Sequence, residues 1–266
     1  SCMVSARLIF VPLHARPSGI SSATTGYVPW RSFIYRNGGG RPVQSSRPWL
    51  NMQQTLRITE IFYSLQGETR TAGLPTVFVR LTGCPLRCHY CDTAYAFSGG
   101  DVVSLDAIFE RVAAYKPRYI CVTGGEPLAQ PNCISLLERL CDAGYEVSLE
   151  TSGALDVSRV DPRVSKVLDL KTPGSGEVGR NRYENIPLLT DNDQVKFVVC
   201  SREDYDWAVS KLIEYRLDQR AGEVLFSPSH HQVSARELAD WIVADNLPVR
   251  LQLQLHKILW NDEPGH

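Results

Sequence analysis

The chain has 266 residues, 43% hydrophobic and 21% charged, a composition that suits one globular domain, or one domain plus appendages. Six of its 28 basic residues and none of its 29 acidic ones fall in residues 1–51, which leaves 22 against 29, a net of −7, on the rest. An acidic body argues against a nucleic-acid partner, which favours a basic stripe, and no apolar run approaches the roughly 20 residues of a membrane helix.

Residues 1–51 are rich in Ser, Arg, Gly and Pro, with the run NGGGRP at 37–42, and no apolar periodicity persists. Little fixed structure is expected there. An Arg- and Ser-rich, acid-free leader resembles an organellar transit peptide. The preferred reading is a translated upstream segment, with Met52 the natural start and residues 52–266 the folded domain. From Thr55 on, β-branched runs alternate with helical ones. Residues 76–82 (TVFVRLT) predict a buried strand. Residues 104–115 predict a helix with Leu105, Ile108, Phe109 and Val112 on one face and Ser104 as N-cap. A strand at 118–123 and a helix at 132–143, ended by Gly144, follow. Strands are predicted at 145–149, 166–170, 194–199 and 223–226, helices at 204–216 and 235–244, and a last strand at 248–253. Strand–helix alternation implies a parallel sheet with crossover helices. Seven strands and four helices fall short of eight βα units, so the expected fold is α/β, a partial or irregular (βα) barrel, with an open doubly wound sheet as runner-up.

Of eight cysteines, three fall within eight residues, in Cys84-Pro-Leu-Arg-Cys88-His-Tyr-Cys91 after a predicted strand and Gly83. Such clustering reads as metal binding in a reducing, cytoplasmic compartment rather than as disulfides. Three thiolates on a cubane iron–sulfur cluster leave one iron without a protein ligand, free to chelate a small molecule. A Cys3His zinc site with His89, in an interaction module, is the rival from another class. Of the other cysteines, Cys121, Cys133 and Cys141 lie in predicted elements and read as packing.

The C-x3-C-x2-C spacing resembles the signature of the radical S-adenosylmethionine (SAM) superfamily. The resemblance implies a 4Fe–4S cluster on Cys84, Cys88 and Cys91, with SAM on the open iron as the source of a 5′-deoxyadenosyl radical. It places Tyr90, Cys91 and Asp92 near SAM. Thr123-Gly124-Gly125-Glu126-Pro127 resembles the superfamily's GGEP element, with Gly125 and Glu126 toward SAM. Glu150-Thr151-Ser152-Gly153 matches a segment that contacts SAM, and Lys171 is a further candidate. Lys171 precedes Thr172-Pro-Gly-Ser-Gly176, a flexible loop able to cover a pocket. These motifs follow predicted strands, where the catalytic face of a βα sheet lies.

Upstream, Leu65-Gln66-Gly67-Glu68-Thr69, the strand carrying Arg80, and Cys91-Asp92-Thr93 together resemble the 7-carboxy-7-deazaguanine synthase family of 7-deazapurine (queuosine) biosynthesis, over residues 57–266. That resemblance implies a lyase that contracts the ring of 6-carboxy-5,6,7,8-tetrahydropterin, losing ammonia, with SAM used catalytically. It implies Mg2+ on Thr93, substrate contacts from Leu65, Gln66, Gly67, Glu68, Arg80, Thr123 and His256, a flavodoxin or ferredoxin as electron donor, and a homodimer. The chemistry is consistent: Gln66 and Glu68 suit the pterin's donor–acceptor edge, and Arg80 suits a carboxylate. Plainer readings stand beside it. Arg80 suits a strand-end salt bridge, Thr93 a turn hydroxyl, Gln66 and Glu68 a polar turn, His256 a structural histidine. A rival enzyme, a radical SAM activase that makes a glycyl radical on a partner protein, shares the cysteine spacing. His230-His231 is expected in a loop bordering the pocket.

Overall fold

The computed structural model describes residues 54–230, 232–261 and 263. The expectations for residues 1–51, Met52 and His231 lie outside the described residues. One nine-stranded sheet runs through the described residues in the order β3-β1-β2-β4-β5-β6-β7-β8-β9. The strands are β1 (Thr55–Leu65), β2 (Pro75–Leu81), β3 (Asp101–Ser104), β4 (Tyr119–Gly124), β5 (Glu146–Thr151), β6 (Ser165–Asp169), β7 (Gln194–Val199), β8 (Glu223–Pro228) and β9 (Arg250–Leu251). From β2 to β9 every pairing is parallel. The sheet does not close, since β3 and β9 end its order unpaired with each other. The expected partial barrel is what forms.

The helices are α1 (Leu105–Ala114), α2 (Cys133–Asp142), α3 (Arg202–Tyr215), α4 (Ala235–Ala244) and the short α5 (Leu255–Trp260). Three of them, α1, α3 and α4, start at serines whose side chains satisfy first-turn N–H groups. The Ser104 hydroxyl accepts from Ala107 N, and Ser234 with Glu237 forms a reciprocal capping box on α4. Leu105, Ile108 and Val112 of α1, and Leu136, Leu137 and Leu140 of α2, are buried against the sheet. Each such side chain contributes roughly 1.5–3 kcal/mol of apolar transfer. Within the strands the faces alternate. Val77, Val79 and Leu81 of β2 are buried in the core, while Phe78 and Arg80 line a cleft inside the curved sheet.

Two expectations change. The sheet is not wholly parallel: β1 runs antiparallel to both β2 and β3. The link from β1 to β2 is short and carries no helix, and only an antiparallel pair can be joined that way. The last strand is also shorter than expected. Only Arg250 and Leu251 pair with β8, and the chain then turns into α5, so His256 sits on a helix rather than after an extended strand.

Candidate active site

The cysteine loop leaves β2 through Gly83, whose φ of 98° lies in the left-handed region that glycine adopts without penalty. Gly83 N donates to Ala96 O at 2.8 Å, and its carbonyl accepts from Glu126 N at 2.8 Å. The loop is thereby tied to the segment after β4. A Cβ on Gly125 would lie 2.3 Å from the Gly83 oxygen and 2.9 Å from Cys84 Cβ, so this close approach requires glycine. Arg87 folds back on the loop, donating to the carbonyls of Cys84 (2.7 Å) and Leu86 (2.6 Å) and stacking on Phe97 at 4.3 Å. Cys84, Cys88 and Cys91 are free and half-buried.

These three cysteines border a cleft of about 730 Å3 at the carboxyl ends of the parallel strands. All but one of the nominated residues line it. The exception is Glu126. It is fully buried, and its carboxylate accepts from Leu128 N, the Thr151 hydroxyl, and the backbone and hydroxyl of Ser152. Glu126 therefore acts between two loops, bolting the one after β4 to the one after β5, from behind the cleft lining. Glu150 does face the cleft, accepting from the Thr123 hydroxyl at 2.8 Å and from Gln66 Nε2 at 3.4 Å.

On the cysteine side, Lys171 lies 3.0 Å from Asp169 and 5.7 Å from the centre of the Tyr90 ring. Burial disfavours its charge, but Asp169 and Cys88 outweigh burial and raise its pKa. Burial pushes the Cys88 thiol up to about 11 against the opposing pull of Lys171. The Tyr90 hydroxyl and Asp169 Oδ1 are buried without a protein partner, although both residues line the cleft. Three free thiols bordering one cleft, one buried cation and two orphaned polar atoms fit an iron–sulfur cluster carrying a polar ligand. Among the described residues, no three His, Cys, Asp or Glu side chains converge on a point where one ion could sit.

Opposite the cysteines, the loop between β1 and β2 enters the curved sheet. The Glu68 carboxylate forms a buried ion pair with Lys196 of β7, and Gln66 Oε1 accepts from Glu68 N at 3.2 Å. Deeper in, Arg70 N donates to Gln194 at 2.7 Å. From the outside, Leu255 N donates to Gly67 O at 2.9 Å, and a Cβ on Gly67 would lie 2.0 Å from His256 Nδ1. Arg80 makes the salt bridge its plainer reading allowed: Nε donates to Glu60 at 2.6 Å, and Tyr95 donates to the same carboxylate oxygen at 2.8 Å. Its terminal nitrogens are the ones that can serve the cleft. Thr93 donates to Asp92 Oδ1 at 2.9 Å, and Lys257 lies 3.3 Å from Asp92 Oδ2. Partial burial works against the Asp92 charge, but Lys257 and the Thr93 hydroxyl outweigh it and hold its pKa down at about 2.

Burial lowers the pKa of His256 below its ordinary value of 6.5, against the pull of Glu68 and Asp92. The unfolded chain then takes up this proton at higher pH than the folded one. The contribution of a neutral His256 is present above pH 6.5 and is lost as pH falls through the lower, folded value. Titration by NMR should place the His256 midpoint below 6.5, and His256→Gln should flatten the loss of stability between neutral and mildly acid pH. A midpoint at or above the ordinary value would contradict the packing on Gly67.

Several residues in or beside the cleft escaped the reading of the sequence. The pairing of Lys196 with Glu68 spans 128 residues, so no local signal carries it. Glu60 sits on β1, a strand not identified. Tyr95 and Lys257 carry no motif. His230 lines the cleft as expected.

Comparison with known proteins agrees with this geometry. The radical SAM superfamily model matches residues 78–220. The 7-carboxy-7-deazaguanine synthase of Chlorobaculum tepidum is 44% identical over 80% of this chain and 98% of its own, and that of Koribacter versatilis 42% over 78% and 98%. The enzyme of that name from Methanospirillum hungatei is 39% identical over 77% and 85%. The crystal structure of QueE from Escherichia coli superposes with a TM-score of 0.62 at 23% identity, covering 75% of this chain and 94% of that one, and supports the fold. On the cysteine loop, the cleft it borders and these relatives, the chain belongs to the 7-carboxy-7-deazaguanine synthase family of the radical SAM superfamily.

Proposed function

We propose that this chain contracts 6-carboxy-5,6,7,8-tetrahydropterin to 7-carboxy-7-deazaguanine with loss of ammonia. One observation carries the reading. Gln66, Glu68, Arg80, Thr123 and His256 line the same cleft as the three cysteines. When bound, a 4Fe–4S cluster on Cys84, Cys88 and Cys91 and SAM supply one-electron reduction and a carbon-centred radical for hydrogen abstraction.

The chain's own residues bind and orient. Glu68, paired with Lys196, accepts from the N–H groups of the pterin's guanidine-like edge. Gln66 is turned by its bond to Glu68 N so that its amide points toward Glu150 and the cleft. Arg80, held by Glu60 and Tyr95, presents guanidinium N–H groups to the substrate carboxylate. Lys171 and Tyr90 offer a cation and a hydroxyl to the carboxylate end of SAM. His256, seated on Gly67, closes the substrate side.

Mg2+ on Thr93 belongs to the same proposal. A lone protein hydroxyl suits a cation that keeps several waters and bridges to a substrate carboxylate. Thr93 spends its proton on Asp92, which leaves its oxygen lone pairs for a metal. Reduction by a flavodoxin or ferredoxin, a homodimer and a cytoplasmic setting rest on the family resemblance and on the need to keep clustered thiols reduced. Among the described residues no helix is long and apolar enough to cross a membrane.

Anaerobic incubation of the reconstituted chain with SAM, reductant and the carboxypterin should yield the deazaguanine, identified by mass. SAM cleavage without that product would reject the assignment and favour an activase. Thr93→Ala should keep its iron but lose most of the rate gained on adding Mg2+. An unchanged Mg2+ response would move the ion elsewhere.

A further inference from the structure

The segment after Lys171 was expected to be a flexible cover. Instead it is fastened at every turn. Asp204, in the first turn of α3, is 1% exposed. Its Oδ1 accepts from Gly174 N at 2.7 Å, and its Oδ2 accepts from Cys200 N at 3.0 Å and from the Thr172 hydroxyl at 2.9 Å. The Ser175 hydroxyl donates to Thr172 O at 2.6 Å and accepts from Glu177 N at 3.0 Å. The far side of this segment carries the cysteine loop. Ser175 O accepts from His89 N at 3.0 Å, and Glu177 Oε1 accepts from Arg87 N at 2.5 Å. Arg87 and His89 are the two residues flanking Cys88. Gly176, at φ 76°, lets the His89 ring lie where a Cβ would be 2.7 Å from Cε1.

The hydrogen bonds thus run from one buried carboxylate through residues 172–177 to both neighbours of Cys88. Cys84 is held from the opposite side, by Gly83, Gly125 and the Arg87 guanidinium. We propose that Asp204 is a positioning residue for the metal-binding loop, acting through the 172–177 segment to fix the backbone that aims Cys88. It touches neither cluster nor substrate. This rests on Cys84, Cys88 and Cys91 being the cluster ligands, but its first test needs no cluster.

An amide in place of the carboxylate sets an N–H donor against one of the three donors that Asp204 accepts. Gly174→Ala reaches the same contact from the other side, because its Cβ would fall 2.5 Å from Asp204 Oδ2 and 2.9 Å from Cys200 Cβ. A control exists at the other end of the strands. Asp193 is equally buried, pairs with the Lys166 ammonium at 3.0 Å and accepts from Lys166 N, Thr190 N and the Thr190 hydroxyl, with no link to the cysteine loop.

The full-length chain, stripped of metal and kept anaerobic, is alkylated with N-ethylmaleimide, and the rates at Cys84 and Cys88 are read by mass spectrometry. Asp204→Asn and Gly174→Ala should each raise the Cys88 rate relative to Cys84 by about tenfold, the scale of one lost buried hydrogen bond in local opening. After anaerobic reconstitution both variants should retain less iron and show a broadened electron paramagnetic resonance line. Asp193→Asn should lower the melting temperature yet change the Cys88-to-Cys84 ratio less than about twofold. An unchanged ratio in both Asp204→Asn and Gly174→Ala, or an equal change in Asp193→Asn, overturns the proposal. Should Asp204→Asn not fold, Gly174→Ala decides alone. A native chain that binds no iron would instead sink the ligand assignment.

Discussion

Replacing Cys88 by alanine is expected to abolish cluster retention and, with it, SAM cleavage and product formation. Altering a group outside the metal's own ligands typically costs about 10–100-fold in affinity or activity, and losing one of three thiolates should exceed that. Among the described residues, no other cysteine falls within the loop. Cys121 and Cys133 are fully buried in the core, where burial holds both thiols in their protonated form. Cys200 is half-buried, and burial pushes its thiol up to about 12. Iron and sulfide analysis after anaerobic reconstitution checks this. A Cys88→Ala chain that keeps its full iron and cleaves SAM at the native rate would show that the cluster is held elsewhere.

Lys196→Met is expected to be the most damaging change that touches no cysteine. It leaves the Glu68 carboxylate, 12% exposed in its native pair, without a counter-charge. Removing one partner of a buried pair costs roughly 3–5 kcal/mol, which for a domain of this size lowers the melting temperature by roughly 6–20 °C. The loop that reads the substrate hangs on the same pair, so kcat/KM should fall with stability. The double variant Glu68→Gln/Lys196→Met separates the two effects. It removes the stranded charge and should recover most of the melting temperature, but not turnover, since the charged acceptor for the pterin edge is gone. Calorimetry and steady-state kinetics on the two variants and the native chain test it. A single variant that melts within about 1 °C of the native chain would mean that Glu68 finds water or another cation, against the burial seen here.

What the sequence disclosed and what it hid follow the range of the interactions. The parallel strands β4 to β8 and the four longer helices were legible because each is a local apolar pattern with a local stop, such as Ser104 before α1 and Gly144 after α2. The cysteine loop, the two glycines after β4 and the segment Glu150–Ser152 were legible as short strings at strand ends. β1 was not. Its buried face is only partly apolar, and its register shifts between Ile58 and Glu60, which breaks the alternation. With β1 went Glu60, and so the carboxylate that orients Arg80. β9 was over-read because alternation in residues 249–257 mimics a strand, whereas only two residues find a partner at the sheet edge. Glu126 carried the right motif, but the backbone N–H of Ser152 and the hydroxyls of Thr151 and Ser152 claim its oxygens. The pairs Glu68–Lys196 and Lys257–Asp92 join residues far apart in sequence, and only the folded sheet brings them together.

The whole reading depends on one cluster iron having no side chain bound to it. Electron–nuclear double resonance on the reduced, reconstituted chain with SAM labelled in its amino nitrogen reports on that iron directly. A hyperfine coupling from the labelled nitrogen, lost in Cys88→Ala, is the predicted result. The absence of any coupling, together with a fourth protein ligand on the cluster, would contradict it.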